Sequence, residues 1–165
     1  MPNDPAAPVV PVAIGRWAVA AAPAQLRTLL GSCVGVALHD RAAKVGGLAH
    51  VVLPDSRGDV AHPGKYADTA IPALIADIER AIRGKAAGRL VAKLAGGASM
   101  FQTGPDPPSR NIGRMNQEAV EAILAALRIP ILGRDLGGEG GRNMILDPAT
   151  GRVWIRSPGG DGREI

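Results

Sequence analysis

The chain has 165 residues, enough for one domain with a continuous core and too few for two. Apolar residues make up 46% and charged residues 21%, ordinary globular usage that sets aside wholesale disorder, while aromatics at 2% leave almost nothing to stack on nucleic-acid bases. Nineteen basic side chains against fifteen acidic ones give a net charge of +4, but they are scattered, so no nucleic-acid footprint is expected and an acidic protein partner stays compatible.

Residues 1–11 carry Pro at 2, 5, 8 and 11, no Lys or Arg, and Asp4, a pattern that breaks a secretion signal and matches the three-residue turn of polyproline II. They read as a Pro-rich, disordered arm ahead of a single domain over 12–156, with 157–165 a frayed tail. No apolar run reaches the roughly 18 to 20 residues that would span a bilayer, so no membrane insertion is expected. A single cysteine, Cys33, forbids an internal disulfide and suits a reducing cytoplasm.

Val12 to Ala20 reads as a first strand and Gln25 to Leu30 as a second. Val34, Val36 and Leu38 then alternate with Cys33, Gly35, Ala37 and His39, the period of two of a strand that puts Cys33 on the face away from the valines. Val45 to Leu53 completes a hairpin. With Asp40 to Ala43 as a four-residue loop, 39 pairs with 44 and 33 with 50, so Cys33 faces His50 directly. A slip of one residue would separate them onto opposite faces.

Ile71, Leu74, Ile75, Ile78 and Ile82 form the apolar stripe of a helix, with Asp68 or Thr69 as its cap and Gly84 or Gly88 its end. Leu90 to Leu94 is a strand running into Gly96-Gly97, and Thr103 to Arg114 a long loop, a candidate lid or docking element. Val120, Ile123, Leu124 and Leu127 mark a second helix, capped by Asn116 and stopped by Pro130. Ile131 to Leu136, Asn143 to Leu146 and Val153 to Arg156 are further strands. The fold class is α+β, two main helices flanking a mixed, mostly antiparallel sheet core.

Nucleotide motifs fail: Tyr66 stands after Gly64-Lys65 where a phosphate loop needs Ser or Thr, and Gly137 to Gly141 does not fit GxGxxG. His39, His50 and His62 are dispersed and one Cys cannot build a thiolate-rich zinc site, so no metal is expected; His39 and His62 read as surface or turn residues. Cys33 has two readings. A free cysteine is often a small core hydrophobe, yet a thiol at a strand start after Gly31-Ser32, with His50 as base, is a competent nucleophile.

Thr28-Leu29-Leu30-Gly31-Ser32-Cys33-Val34, then Gly46-Gly47-Leu48-Ala49-His50 with Leu53-Pro54, then Lys65-Tyr66-Ala67-Asp68, resemble the chemoreceptor glutamine deamidase family, CheD. The stretches from Ala92 to Ala98 and Asn111 to Asn116, and Asp135 with the glycines before Arg142, are also similar. The resemblance implies a layered α/β sandwich and a cysteine hydrolase converting glutamine side chains of methyl-accepting chemotaxis receptors to glutamate. It implies Cys33 as nucleophile, His50 as general base and acid, and Thr28 as the residue orienting the imidazole. It implies no cofactor, the receptor cytoplasmic domain as substrate partner, and a chemotaxis phosphatase as a second partner. Ser32, Asp55 and Ser56 adjoin the motif as substrate contacts, and Tyr66 with Asp68 could line the site; as turn and capping residues they read equally well. The competing functions are a non-catalytic chemotaxis adaptor with Cys33 merely buried, and a related hydrolase acting on receptor methyl esters.

Overall fold

A computed structural model describes residues 5–99 and 111–165. In chain order the elements are β1 (Val9–Pro11), β2 (Trp17–Ala21), β3 (Gln25–Leu30), β4 (Val34–Asp40), β5 (Val45–Val51), α1 (Ala67–Ile82), β6 (Leu90–Gly96), α2 (Ile112–Ala126), β7 (Ile131–Leu136), β8 (Arg142–Leu146), β9 (Val153–Arg156) and β10 (Gly162–Glu164). The strands form two five-stranded mixed sheets, β1-β3-β8-β9-β10 and β2-β5-β4-β6-β7. The β1–β3 and β6–β7 pairs are parallel and the remaining pairs antiparallel. This is the expected α+β sandwich.

Two cores follow from strand alternation. Val34, Val36 and Leu38 of β4 and Val45, Ala49 and Val51 of β5 point to one side, where Ile71, Leu74 and Ile78 of α1 and Val120 and Leu124 of α2 cover them. Cys33, Ala37 and Leu48 point to the other side, against Leu26, Leu30, Met144, Leu146 and Ile155 of the first sheet. The layers are therefore sheet, sheet, helices. The central strands β4 and β5 are buried on both faces throughout, so a site between the sheets sits in a rigid, dry frame.

Several sequence expectations are corrected. The β4–β5 loop is Arg41 to Lys44, so Asp40 pairs with Val45 and Gly35, rather than Cys33, lies opposite His50. The shift gives Asp40 to β4 and Lys44 to the loop, and because it moves the register by two residues it preserves facing. The arm is not wholly unpacked, since β1 pairs with β3, and the strand expected from Val12 to Ala20 begins only at Trp17, with a turn at Ile14 and Gly15 ahead of it. The tail holds β10 on β9, and Arg152 and Arg163 pair with Glu164 and Asp135. Helix α1 has no side-chain cap, and its end is set by Arg83 in the left-handed region, φ 53°. Asn111, not Asn116, caps α2 by accepting from the Arg114 N–H at 3.1 Å. The expected loop from Thr103 to Arg114 is helical from Ile112 onward, and its residues up to 110 lie outside the described residues. His39 is buried and donates to the Pro148 carbonyl at 2.9 Å; His62 is exposed.

Candidate active site

The chain leaves β3 in the first sheet at Leu30 and enters β4 in the second at Val34. Gly31, Ser32 and Cys33 are thus the crossing between sheets, and Cys33 sits at the edge of the inter-sheet core, 8% exposed. The end of β6 supports this crossing: the Ala98 N–H donates to the Gly31 carbonyl at 3.0 Å and the Gly97 N–H to the Cys33 carbonyl at 2.8 Å. Gly96, with φ +100°, passes so close beneath that any Cβ there would strike the Cys33 carbonyl.

His50 projects from β5 toward the first sheet, opposite Gly35 and so on the same face as Cys33, two residues back along the strand direction. Thr28 projects inward from β3 to meet it, with Oγ1 to Nδ1 at 2.7 Å. The threonine hydroxyl also donates to the Val12 carbonyl at 2.8 Å. A hydroxyl has one proton, so the Thr28 oxygen accepts from His50 Nδ1–H, and the imidazole lone pair lies on Nε2. Thr28 and His50 are 3% and 4% exposed.

Cys33, His50 and Thr28 line one pocket of about 510 Å³, together with Val12, Arg27 and Ser32. A second depression of about 620 Å³ adjoins it across Leu29 and Gly31, which line both. Leu29 is 72% exposed on the rim. Burial pushes the Cys33 thiol up and lowers the His50 imidazole to about 4, because an apolar surround disfavours each charged form. At neutral pH both groups are therefore uncharged, a thiol and an imidazole that line one pocket.

The other expected contacts part company. Ser32 lines the pocket; Asp55, Ser56 and Tyr66 do not. Asp55 accepts from the Arg57 N–H at 2.8 Å, Ser56 donates its N–H and hydroxyl to Asp68 at 2.9 and 2.8 Å, and the Tyr66 hydroxyl donates to Asp59 at 2.7 Å. These bonds order the segment entering α1. Composition and spacing did not point to Val12, Arg27 or Leu29 at the pocket, because the packing of β1 and β3 brings them there; a carbonyl such as Val12's has no sequence signature. Among the described residues no group of three or more His, Cys, Asp or Glu side chains is placed to hold a metal ion, and no helix is long and apolar enough to cross a membrane.

Comparison with known proteins gives a consistent set of similarities. The family model described as CheD chemotactic sensory transduction matches residues 52–157. The chain is 49% identical over 153 residues to the probable chemoreceptor glutamine deamidase CheD of Desulforamulus reducens, covering 91% of each chain. It is 45% identical over 159 residues to the protein of the same name from Clostridium kluyveri, covering 94% of this chain and 97% of that one. It is 44% identical over 150 residues to the chemoreceptor glutamine deamidase CheD of Thermotoga maritima, covering 90% and 92%.

Proposed function

Because the chain belongs to the CheD family, we propose that it is a protein-glutamine deamidase that converts glutamine side chains of methyl-accepting chemotaxis receptors to glutamate and releases ammonia. The observation that carries the reading is the Thr28–His50 hydrogen bond in the pocket that also exposes Cys33, with the threonine proton already committed to Val12.

In this reading His50 Nε2 removes the Cys33 thiol proton as the sulfur attacks the glutamine amide carbon, forming a C–S bond and placing negative charge on the former carbonyl oxygen. The imidazolium then returns its proton to the amide nitrogen, the C–N bond breaks, and ammonia leaves a Cys33 thioester. A water molecule, deprotonated by the same nitrogen, attacks the thioester carbon; the C–S bond breaks, glutamate is formed and the thiol is restored. Thr28 holds Nδ1 through both half-reactions and supports the transient imidazolium. The buried resting pair fits this sequence, since a neutral imidazole is the form that can accept the proton.

The test is peptide mass spectrometry of a receptor cytoplasmic fragment incubated with the native protein and with Cys33→Ala. Glutamine-to-glutamate conversion by the native protein alone supports the reading. Binding of the fragment without conversion favours the adaptor, and release of methanol from a methylated fragment without deamidation favours the methylesterase. The family resemblance also suggests a chemotaxis phosphatase as a second partner, tested by its competition with the receptor fragment.

A further inference from the structure

Asn116 lies on α2 with 0% exposure, yet its side chain faces two backbone carbonyls rather than the core: Nδ2 donates to the Ser32 carbonyl at 3.2 Å and to the Val52 carbonyl at 2.9 Å. Its Oδ1 is buried and has no partner among the described residues. Turning the amide over would set that oxygen against both carbonyls, so the orientation is fixed. Leaving a buried amide oxygen unpaired costs stability, which points to a duty for the nitrogen. One bond reaches the residue before Cys33; the other reaches the segment two residues beyond His50.

With it, three successive carbonyls of the crossing are held from the same side: Gly31 by Ala98 N–H, Ser32 by Asn116, and Cys33 by Gly97 N–H. These peptide bonds are trans, so the N–H following each carbonyl points the opposite way. The N–H groups of Ser32 and Cys33 therefore face away from α2 and the end of β6, and neither has an acceptor among the described residues. Gly31, Ser32 and Cys33 line the pocket, while Gly97, Ala98 and Asn116 do not. The segment that carries the two free donors thus lines the pocket, and the groups that hold its carbonyls stand outside the lining.

We propose that Asn116 is a positioning residue that, by gripping the Ser32 carbonyl, aims the backbone N–H groups of Ser32 and Cys33 into the pocket as the oxyanion hole. The inference rests on Cys33 being the nucleophile. Two donors fixed in advance toward the oxygen that gains charge stabilise the tetrahedral intermediate without reorganisation.

Two reactions of Cys33 separate this role from simple support of the fold. Acylation by p-nitrophenyl acetate passes through a tetrahedral oxyanion and releases p-nitrophenol, whereas alkylation by iodoacetamide displaces iodide and forms no oxyanion. In Asn116→Ala and the isosteric Asn116→Asp, acylation of Cys33 should fall by roughly 10²-fold, the loss typical of one misplaced donor, while alkylation changes by less than about twofold. An equal loss of both reactions, or no loss of acylation, overturns the assignment. Should the variants not fold, amide NMR of the wild-type protein decides: when butyraldehyde forms a hemithioacetal on Cys33, the Ser32 and Cys33 amide protons should move downfield more than their neighbours, and unmoved resonances overturn the proposal. Ester labelling that survives in Cys33→Ala would instead refute the nucleophile. Labelling of Cys33 without receptor deamidation would refute only the proposed substrate.

Discussion

Thr28 and His50 belong to different sheets, and a single 2.7 Å hydrogen bond between Oγ1 and Nδ1 joins them across the inter-sheet core. The imidazole that would serve the thiol is therefore oriented from the opposite layer, and the geometry of the pocket depends on how the two sheets face each other.

Replacing Thr28 by Val keeps the volume and removes the acceptor. It leaves the Val12 carbonyl and His50 Nδ1–H unpaired, at a cost of about 1–3 kcal/mol, and frees the ring to turn. Deamidase kcat should drop by about 10²-fold, while Thr28→Ser, which retains the hydroxyl, should keep most of it. Steady-state kinetics beside urea unfolding checks both parts; equal activity of the Val and Ser variants would remove Thr28 from the machinery.

Cys33→Ala should leave the fold intact, because the side chain lies at the edge of the core and the truncation is small: a loss of about 1 kcal/mol at most is expected. Turnover should vanish. Circular dichroism and ammonia release, measured on one preparation, give the comparison.

The depressed His50 imidazole sets the pH behaviour. The base must be unprotonated, so kcat/KM should hold its level down through pH 6 and fall only as pH approaches about 4. Stability runs the same way: between the unfolded value near 6.5 and the folded value of about 4 the unfolded chain binds more protons, so stability declines as pH falls through that window. The full loss for this 4%-exposed group is on the order of 3 kcal/mol, and His50→Gln should flatten the dependence in urea titrations at pH 4.5 and 7. An activity limb near 6.5 would mean that the imidazole is more hydrated than its burial implies.

Gly35 is opposite His50, where the sheets approach closely: a Cβ there would lie 2.5 Å from Met144 Sδ and 2.9 Å from Leu30 Cδ1. Gly35→Ala should destabilise by about 1–3 kcal/mol through overpacking. Adding Met144→Ala should recover part of that loss, a coupling that a double-mutant cycle in thermal unfolding would detect.

Much of the architecture was legible because its signals are local. Strand alternation in 33–39 assigned Cys33 to the correct face, and the stripe from Ile71 to Ile82 defined α1. The hairpin register was displaced because Asp40 stays in β4, its Oδ1 accepting the Ala43 N–H at 3.0 Å, while Lys44 takes φ 53° to close the loop. No composition rule foresees a lysine in that conformation. Parity survived because the register moved by two residues, Asp40 joining β4 and Lys44 leaving β5 for the loop, so Cys33 and His50 still share a face. Asn116 resembled a cap because Asn commonly precedes an apolar stripe; only tertiary packing distinguishes a capping amide from a buried one. Asp55, Ser56 and Tyr66 were singled out by adjacency to the motif, and their hydrogen bonds go to Arg57, Asp68 and Asp59, within the segment entering α1 and the first turn of that helix.

The three-residue strand β1 is the smallest element in reach of the pocket, and it leads straight into Val12, whose N–H donates to the Arg27 carbonyl at 2.7 Å and whose own carbonyl takes the Thr28 proton. Peeling that edge away would leave the hydroxyl proton free to swing toward Nδ1. The imidazole could then carry its proton on Nε2 and become a donor where the proposed mechanism needs a base. This three-residue strand thus acts as the latch on a tautomer: its hold on Val12 determines which side of the ring can accept a proton.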